Sequence, residues 1–228
     1  MKPLINLAQA RTPDGSEITL HSKDTHFFLR VNREPLMATN APESEMVMAR
    51  LACKSLQHKP AARILIGGLG FGFTLRQTLE LVGKGAEVDV AEIVPEVVAW
   101  NREFLSEVNG KLLADPRVKV FVKDVFELIK RAKEKPYDAI LMDVDNGASA
   151  LVLPGNDRLY RTEGLAMLQR ALKPGGRVVF WCATAERGFE KQLSRAGFLV
   201  QSVPAKAHVN AKREAHTLIV AEVTEARS

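Results

Sequence analysis

Hydrophobic residues recur along this chain in two different patterns, and the change from one to the other divides it in two. Between residues 17 and 37, apolar side chains alternate with polar ones, as they do on strands with one buried face. The alternating apolar positions are Ile18, Leu20, Phe27, Leu29 and Val31. The polar cluster Ser22-Lys23-Asp24 separates two runs and is typical of a turn. The pattern predicts a small β-hairpin unit within residues 1–40.

A helix is predicted directly after the hairpin. Asn40 and Glu43 have the spacing of a capping box, and Pro42 lies where the first turn would begin. An apolar stripe with helical spacing follows, at Met46, Ala49, Leu51, Ala52 and Leu56.

From residue 62 onward, short apolar runs alternate with segments of helical periodicity. The predicted strands are Ile64–Ile66, Val88–Ile93, Val118–Val122, Ala139–Val144, Val178–Trp181, Phe198–Val203 and His216–Val223. The predicted helices are Phe73–Val82, Val94–Leu105, Val125–Ala132, Thr162–Leu172 and Ala185–Ala196. Such alternation indicates a parallel sheet covered on both faces, and the last two strands, with no helix between them, indicate an antiparallel edge hairpin. We therefore predict an α/β, Rossmann-like domain over residues 41–228 with a mostly parallel seven-stranded sheet.

Composition excludes several classes of protein. The 228 residues carry 32 Lys and Arg against 27 Asp and Glu, and this small excess is spread along the chain, which argues against a nucleic-acid partner. No apolar stretch approaches the ~18–20 residues of a membrane span, and the N-terminus shows no signal-peptide pattern. Cys53 and Cys182 are far apart, and the histidines show no metal-ligand spacing. We expect a cytoplasmic protein without a metal site.

The most informative segment is the glycine-rich loop after the first strand of the α/β domain. Gly68, Gly70 and Gly72 follow Gly67 in a G-x-G-x-G pattern that opens a helix, where backbone N–H groups can approach a ligand closely. The dinucleotide fingerprint would require its third glycine at Phe73.

Two acids follow the next two strands. Glu92 ends the second strand and can accept hydrogen bonds from both ribose hydroxyls, the alternative being a solvated acid at a strand end. Asp124 can accept from an adenine amine, or it can cap the following helix. The predicted nucleoside-binding residues are Gly67, Gly68, Gly70, Gly72, Glu92, Ile93, Asp124 and Val125.

The order of these motifs resembles the class I S-adenosylmethionine-dependent methyltransferases, and within them the chain is most similar to spermidine synthases. The resemblance covers about residues 17–223. The motifs that carry it are Ile66-Gly67-Gly68 with Gly72, Ala91-Glu92-Ile93, Asp115-Pro116-Arg117-Val118, Lys123-Asp124, Tyr137-Asp138-Ala139-Ile140 with Asp143, and Leu172-Lys173-Pro174-Gly175-Gly176. The resemblance implies that Glu92 holds ribose and that Asp124 holds adenine.

The chain departs from the family at three places. The loop acid that helps to hold the decarboxylated donor is replaced by Gly70. The family's Tyr-His-Glu has only Glu45 as a counterpart, and Asp-Ser-Ser-Asp-Pro becomes Asp143-Val144-Asp145-Asn146-Gly147. Asp143 occupies the position of the family's general base, and Asp145 is the second catalytic candidate; the alternative is that Asp143 only caps its loop.

These residues predict a transferase that moves a sulfonium substituent of S-adenosylmethionine to a small-molecule nucleophile. Methyl transfer is slightly favoured, because a glycine loop without an acid would accept the carboxylate of the intact donor. The alternatives are an aminopropyltransferase, a spermidine or polyamine synthase, that uses decarboxylated S-adenosylmethionine and an amine acceptor, and a non-catalytic adenosyl-ligand-binding protein. Tyr160 and Trp181 either wall the acceptor pocket or pack in the core. The apolar face of the N-terminal hairpin is a candidate homodimer contact.

Overall fold

The computed structural model describes residues 3–144, 146–152 and 154–224, and its strands form two separate sheets. The N-terminal sheet contains β1 (Ile5–Arg11), β2 (Glu17–Lys23), β3 (His26–Val31) and β4 (Glu34–Ala38). The larger sheet contains β5 (Arg63–Gly67), β6 (Glu87–Glu92), β7 (Val118–Val122), β8 (Tyr137–Met142), β9 (Leu172–Cys182), β10 (Phe198–Ala205) and β11 (His216–Val223). The helices are α1 (Glu43–Cys53), α2 (Phe73–Leu81), α3 (Pro95–Glu103), α4 (Ser106–Asn109), α5 (Val125–Arg131), α6 (Asp157–Tyr160), α7 (Thr162–Ala171) and α8 (Arg187–Arg195), with 3-10 turns at Leu112–Ala114 and Pro154–Asn156.

The larger sheet has the strand order β10-β11-β9-β8-β5-β6-β7. Strands β5 to β9 pair in parallel, whereas β11 pairs antiparallel with both β9 and β10, so the predicted sheet and its edge hairpin are confirmed. The central strand β5 is apolar at consecutive positions because both of its faces are covered, and Ile64, Leu65 and Ile66 are completely buried. Strands β6 and β8 flank β5 on opposite sides, so the order in which strands are added to the sheet reverses beside β5. Open α/β sheets form their ligand crevice at such a point.

The N-terminal unit is larger than the predicted hairpin. Strands β2 and β3 form that hairpin, with Asp24 at a positive φ in its turn, but β1 and β4 extend it to a four-stranded antiparallel meander. Strand β1 escaped prediction because it is an edge strand with little burial. Ile18 and Leu29 are buried in the same hydrophobic core as β5 and α1, so this sheet packs onto the larger one.

The capping box predicted for α1 is wrong. Pro42 is the N-cap residue, and no side chain caps this helix. The Glu43 N–H donates to the carbonyl of Ala207 at 3.2 Å, in the segment between β10 and β11, while the Glu43 carboxylate pairs with Arg50. A contact distant in sequence therefore replaces the local cap. The buried face of α1 also differs from the predicted stripe, since Ser44, Glu45, Met48 and Cys53 are buried with Ala49 and Ala52, and Leu56 lies beyond the helix.

Two of the family-like motifs have structural roles. Arg117 of Asp-Pro-Arg-Val pairs with Asp115 and donates to the carbonyls of Leu79 (2.9 Å) and Val82 (3.0 Å), at the C-terminal end of α2. The Leu-Lys-Pro-Gly-Gly segment is an irregular start of β9, because Leu172 pairs with Tyr137 whereas Arg177 already pairs with Ala139.

Among residues 3–144, 146–152 and 154–224, no helix is long and apolar enough to cross a membrane. The same residues contain no group of three His, Cys, Asp or Glu side chains that could hold a metal ion.

Candidate active site

A cavity of about 250 Å³ lies at the carboxyl ends of the parallel strands. Its floor is built by the segments that follow β5, β6, β7 and β8, together with the ends of β9 and β11. The N-terminal sheet covers it with apolar side chains, namely Ile18, Leu29, Val31, Leu36 and Met37. The cavity therefore excludes water on one side and presents polar strand ends on the other.

The glycine loop forms part of this floor, and two of its glycines are required by the local geometry. Gly68 has φ +87°, and a Cβ there would collide with the carbonyl oxygen of Asp143. Gly72 has φ +78°, and a Cβ would lie 2.9 Å from Leu112 Cδ2. These are backbone conformations and spacings that glycine adopts readily.

Two asparagines hold the loop from behind. Asn101 on α3 donates its amide to the Gly70 carbonyl at 2.8 Å, and Asn109 on α4 donates to the Phe71 carbonyl. Asn109 also donates to Asn101 Oδ1 at 3.1 Å. Neither asparagine was predicted from the sequence, because a lone amide on a helix carries no spacing signal that connects it to a distant loop.

Met37 lies beside Gly70, where the sequence alone suggested open space. A Cβ at Gly70 would lie 2.8 Å from both Sδ and Cε of Met37, which belongs to β4. The N-terminal sheet thus covers the position at which the family carries an acid. Gly70 nevertheless lines the cavity together with Met37, whose side-chain end is flexible.

Glu92 is a buried carboxylate, only 8% exposed, at the end of β6. One oxygen accepts from the Leu69 N–H at 3.0 Å and the other from the Val94 N–H at 2.9 Å. Burial raises the pKa of Glu92, although these backbone hydrogen bonds oppose the rise. Glu92 is thus not a solvated acid: it fixes the glycine loop relative to β6 and lines the cavity.

Asp124 caps α5, as the second interpretation of this residue predicted. One oxygen accepts from the Phe126 N–H at 2.8 Å, and the other pairs with Arg158. The Arg158 guanidinium also lies 4.2 Å from the centre of the Phe126 ring. Asp124 and Val125 line the cavity, as does Ile93 beyond β6, so the predicted nucleoside residues after β6 and β7 border one space.

Asp143 directly follows β8 and lines the cavity. Its N–H donates to the Gly67 carbonyl at 3.0 Å, and its carboxylate accepts from Thr74 Oγ at 3.3 Å. Glu45 lines the same cavity from α1, is 8% exposed, and accepts from Ser44 Oγ. Burial, followed by the neighbouring Glu45 carboxylate, raises the pKa of Asp143 to about 7, and burial also raises the pKa of Glu45. The two carboxyls therefore do not both ionise readily at neutral pH.

The segment after Asp143 is held by a residue that the sequence analysis missed. Glu186, which precedes α8, accepts from the N–H of Ser149 at 3.1 Å and from its hydroxyl. Gly147 has φ +124°, and a Cβ there would lie 2.5 Å from Glu186 Oε1. Asp145, the second catalytic candidate, lies outside the described residues.

The two aromatic candidates separate in the structure. Tyr160 is buried and packs against Phe180 and Phe189, with ring centres 6.0 and 5.2 Å away, so it belongs to the core. Trp181, near the end of β9, lines the cavity together with His216 of β11.

The comparisons with known proteins define the class. The model of the spermine/spermidine synthase domain matches residues 42–195, and the chain belongs to that family. Among curated relatives, polyamine aminopropyltransferase 1 of Streptomyces coelicolor is 34% identical over 147 residues, covering 61% of this chain and 27% of the relative. Polyamine aminopropyltransferase of Mycobacterium tuberculosis (strain H37Rv) is 34% identical over 121 residues, covering 52% of this chain and 22% of the relative. The matched region thus spans about a quarter of the length of these two relatives.

Solved structures agree with the fold. A spermidine synthase in complex with the transition-state analogue AdoDATO superposes with a TM-score of 0.72 at 15% identity, covering 96% of this chain and 72% of that chain. Spermidine synthase from Thermotoga maritima gives a TM-score of 0.70 at 16% identity with the same coverages. The fold is therefore the Rossmann-like fold of spermidine synthases, and the two curated relatives are named as aminopropyltransferases and not as methyltransferases.

Proposed function

We propose that this chain transfers the aminopropyl group of decarboxylated S-adenosylmethionine to an amine. The observation that carries the proposal is the pair of carboxyls, half-buried Asp143 and buried Glu45, in the same cavity as the glycine loop. A carboxylate beside a donor site can attract a protonated amine and then accept its proton. The membership of the spermine/spermidine synthase family supports the same reaction.

The donor nucleoside fits the end of the cavity formed by the loops after β5, β6 and β7. Glu92 accepts from the Leu69 and Val94 N–H groups, with further backbone hydrogen bonds from Ile93 and Gly70, and it lines the cavity, where its carboxylate can also meet the ribose hydroxyls. Ile93 and Val125 provide apolar surface for the adenine ring, and Asp124 lies beside them. The glycine loop N–H groups and the start of α2 complete this end.

The charge of the cavity selects between the two donors. Among its described residues, Glu45, Glu92, Asp124 and Asp143 carry carboxyls, whereas Lys123, after β7, is the one permanent cation. The carboxylate of intact S-adenosylmethionine would face these acids without a cationic partner near the loop. Both donors carry an ammonium that the acids attract, but the decarboxylated donor lacks the carboxylate that the acids repel.

Asp143 supplies the proton transfer. An acceptor ammonium gives its proton to the Asp143 carboxylate, and the freed nitrogen lone pair bonds to the carbon attached to sulfur. The carbon–sulfur bond breaks, its electron pair remains on sulfur, and neutral 5′-methylthioadenosine is released. The sulfonium is intrinsically reactive, so the remaining task of the protein is to align the two substrates and to exclude water under the apolar N-terminal sheet.

Calorimetry with both donors tests the donor assignment. We expect decarboxylated S-adenosylmethionine to bind at least about tenfold more tightly than the intact donor, a difference of about 1.4 kcal/mol. 5′-Methylthioadenosine, which lacks the charged tail, reports whether the nucleoside end is intact. Tighter binding of the intact donor would contradict the proposal and restore methyl transfer.

A further inference from the structure

A buried threonine reaches the proposed base from the helix that follows the glycine loop. Thr74 belongs to the first turn of α2, is buried, and donates its hydroxyl to Asp143 Oδ2 at 3.3 Å. Of the side chains that the structure describes, Thr74 is the one that gives a hydrogen bond to this carboxyl. The described cavity lining includes Asp143 but not Thr74, so an effect of this hydroxyl on bound substrates has to pass through Asp143.

The usual local partner of a helical threonine hydroxyl is not in place for Thr74. A threonine inside a helix commonly donates to the carbonyl four residues earlier, and Thr78 does so, with its Oγ 2.8 Å from the Thr74 carbonyl oxygen. For Thr74 the corresponding carbonyl is that of Gly70, which lies before the helix at φ +49° and accepts from Asn101 at 2.8 Å. The Thr74 hydroxyl instead bonds to a residue 69 positions later in the chain.

The glycine loop fixes the backbone of Asp143 as well. The Asp143 N–H donates to the Gly67 carbonyl at 3.0 Å, and the Asp143 carbonyl oxygen would lie 2.2 Å from a Cβ at Gly68. With the backbone held, the side-chain torsions decide where the carboxylate lies, and a hydrogen bond from a buried helical residue restricts them. The loop and the first turn of α2 therefore hold this carboxyl together.

Thr74 and Glu45 act on Asp143 in opposite directions. The charge of Glu45 favours the protonated form of Asp143, whereas the hydrogen bond from Thr74 lowers the pKa of Asp143 and favours the ionised form. The other titratable groups among the described lining residues come from four places around the cavity: Glu45 of α1, Glu92 of β6, Lys123 and Asp124 after β7, and His216 of β11. Of these, Glu45 is the one whose charge raises the pKa of Asp143.

We propose that Thr74 is a positioning residue for the proton transfer, because its hydroxyl holds the Asp143 carboxylate in place and stabilises its ionised form. The inference rests on the proposed aminopropyl transfer and adds the residue that prepares its base. The acceptor ammonium gives one proton to the Asp143 carboxylate, while Thr74 keeps its own proton and forms no bond to either substrate. A hydrogen bond to an ionised acceptor is stronger than one to a neutral acceptor, so Thr74 favours the state that can accept the proton.

Thr74→Val tests the inference, because valine keeps the branched shape of the side chain and removes the hydroxyl. The assay is kcat/KM for release of 5′-methylthioadenosine between pH 5.5 and 9, with decarboxylated S-adenosylmethionine as donor and 1,4-diaminobutane as acceptor. We expect the acidic limb to move up by about half to one pH unit, so that kcat/KM falls about three- to tenfold more at pH 6 than at pH 9. Thr74→Ala, which removes the hydroxyl with less bulk, should give the same shift, and Thr74→Ser should keep the limb in place.

Thr78→Val is the matched control. Thr78 lies one turn further along the same helix and is also buried, but its hydroxyl donates to a backbone carbonyl, so its loss should leave the limb where it is. A limb that stays in place in Thr74→Val and Thr74→Ala, with kcat/KM lowered equally at every pH, would overturn the inference and leave the proposed function standing. An equal shift in Thr78→Val would also overturn it, since the effect would then not depend on the hydrogen bond to Asp143.

Absence of 5′-methylthioadenosine release from the unaltered protein would instead contradict the proposed function. The inference would then be decided without turnover, by ¹³C NMR titration of the Asp143 carboxyl carbon, assigned by the loss of its signal in Asp143→Asn. A pKa of Asp143 that is higher by about half to one unit in Thr74→Val than in the unaltered protein supports the inference, and an unchanged pKa overturns it.

Discussion

The Asp143–Glu45 pair makes a specific prediction about pH. The change is Glu45→Gln, which keeps the size of the side chain and its hydrogen bond from Ser44 but removes its charge. Burial and Glu45 together raise the pKa of Asp143 from 3.8 to about 7, and burial is the larger of these two causes. Removing the smaller contribution should lower the pKa by about one unit, equivalent to about 1.4 kcal/mol.

The direction of the expected shift in the pH profile follows from the role of Asp143 as the base. Asp143 must be ionised to accept a proton, so kcat/KM rises as the pH increases through its pKa, and a lower pKa moves this acidic limb to lower pH. The assay is the rate of 5′-methylthioadenosine release between pH 5.5 and 9 for the unaltered protein and Glu45→Gln. Glu43→Gln is the matched control, because Glu43 is on the same helix but pairs with Arg50 and does not line the cavity. An acidic limb that stays in place in Glu45→Gln, at whatever overall rate, would refute the coupling.

Three further variants separate binding, stability and titration. Glu92→Gln should weaken 5′-methylthioadenosine binding by about 1.5–3 kcal/mol, because the ribose hydroxyls lose a charged acceptor. Glu103→Gln, which changes an exposed residue of α3, should leave the affinity unchanged. Equal affinities of Glu92→Gln and the unaltered protein in calorimetry would show that Glu92 does not belong to the site. Arg117→Ala should lower Tm by several degrees with little change in nucleoside affinity, since this guanidinium holds the carbonyls of Leu79 and Val82; an unchanged Tm would show that these hydrogen bonds contribute nothing. The Asp143 carboxyl binds its proton more tightly in the folded than in the unfolded protein, so its ionisation destabilises the fold as the pH rises from about 4 to 7. Asp143→Asn should therefore raise Tm by about 2–4 °C at pH 7.5 but not at pH 4. An equal change of Tm at both pH values would contradict this prediction.

The alternating pattern was sufficient to predict the larger sheet because each strand is short, apolar and bounded by clear turns. Residues such as Ile64–Ile66 are buried on both faces, and no local alternative competes with that signal. The capping box of α1 failed for the opposite reason. Its residues have the right local spacing, but the Ala207 carbonyl, far away in the chain, takes the Glu43 N–H instead.

The sequence predicted the candidate site residues that lie at the ends of parallel strands. Glu92 ends a parallel strand, and Asp124 and Asp143 follow the ends of two others within two residues, so topology alone brings them to one edge. Met37 and Trp181 reach the same cavity from elements whose packing the sequence does not reveal. Only the structure shows that the side chain of Met37 lies beside Gly70.

The central claim is that the cavity transfers an aminopropyl group with Asp143 as base. Mass spectrometry of the nucleoside product tests it most directly, with both donors and a mixture of primary amines supplied together. Aminopropyl transfer leaves 5′-methylthioadenosine, whereas methyl transfer leaves S-adenosylhomocysteine. We predict 5′-methylthioadenosine from the unaltered protein and a decrease of about 10²–10⁴ in its rate of formation in Asp143→Asn. S-adenosylhomocysteine as the product, or an undiminished rate in Asp143→Asn, would contradict the account.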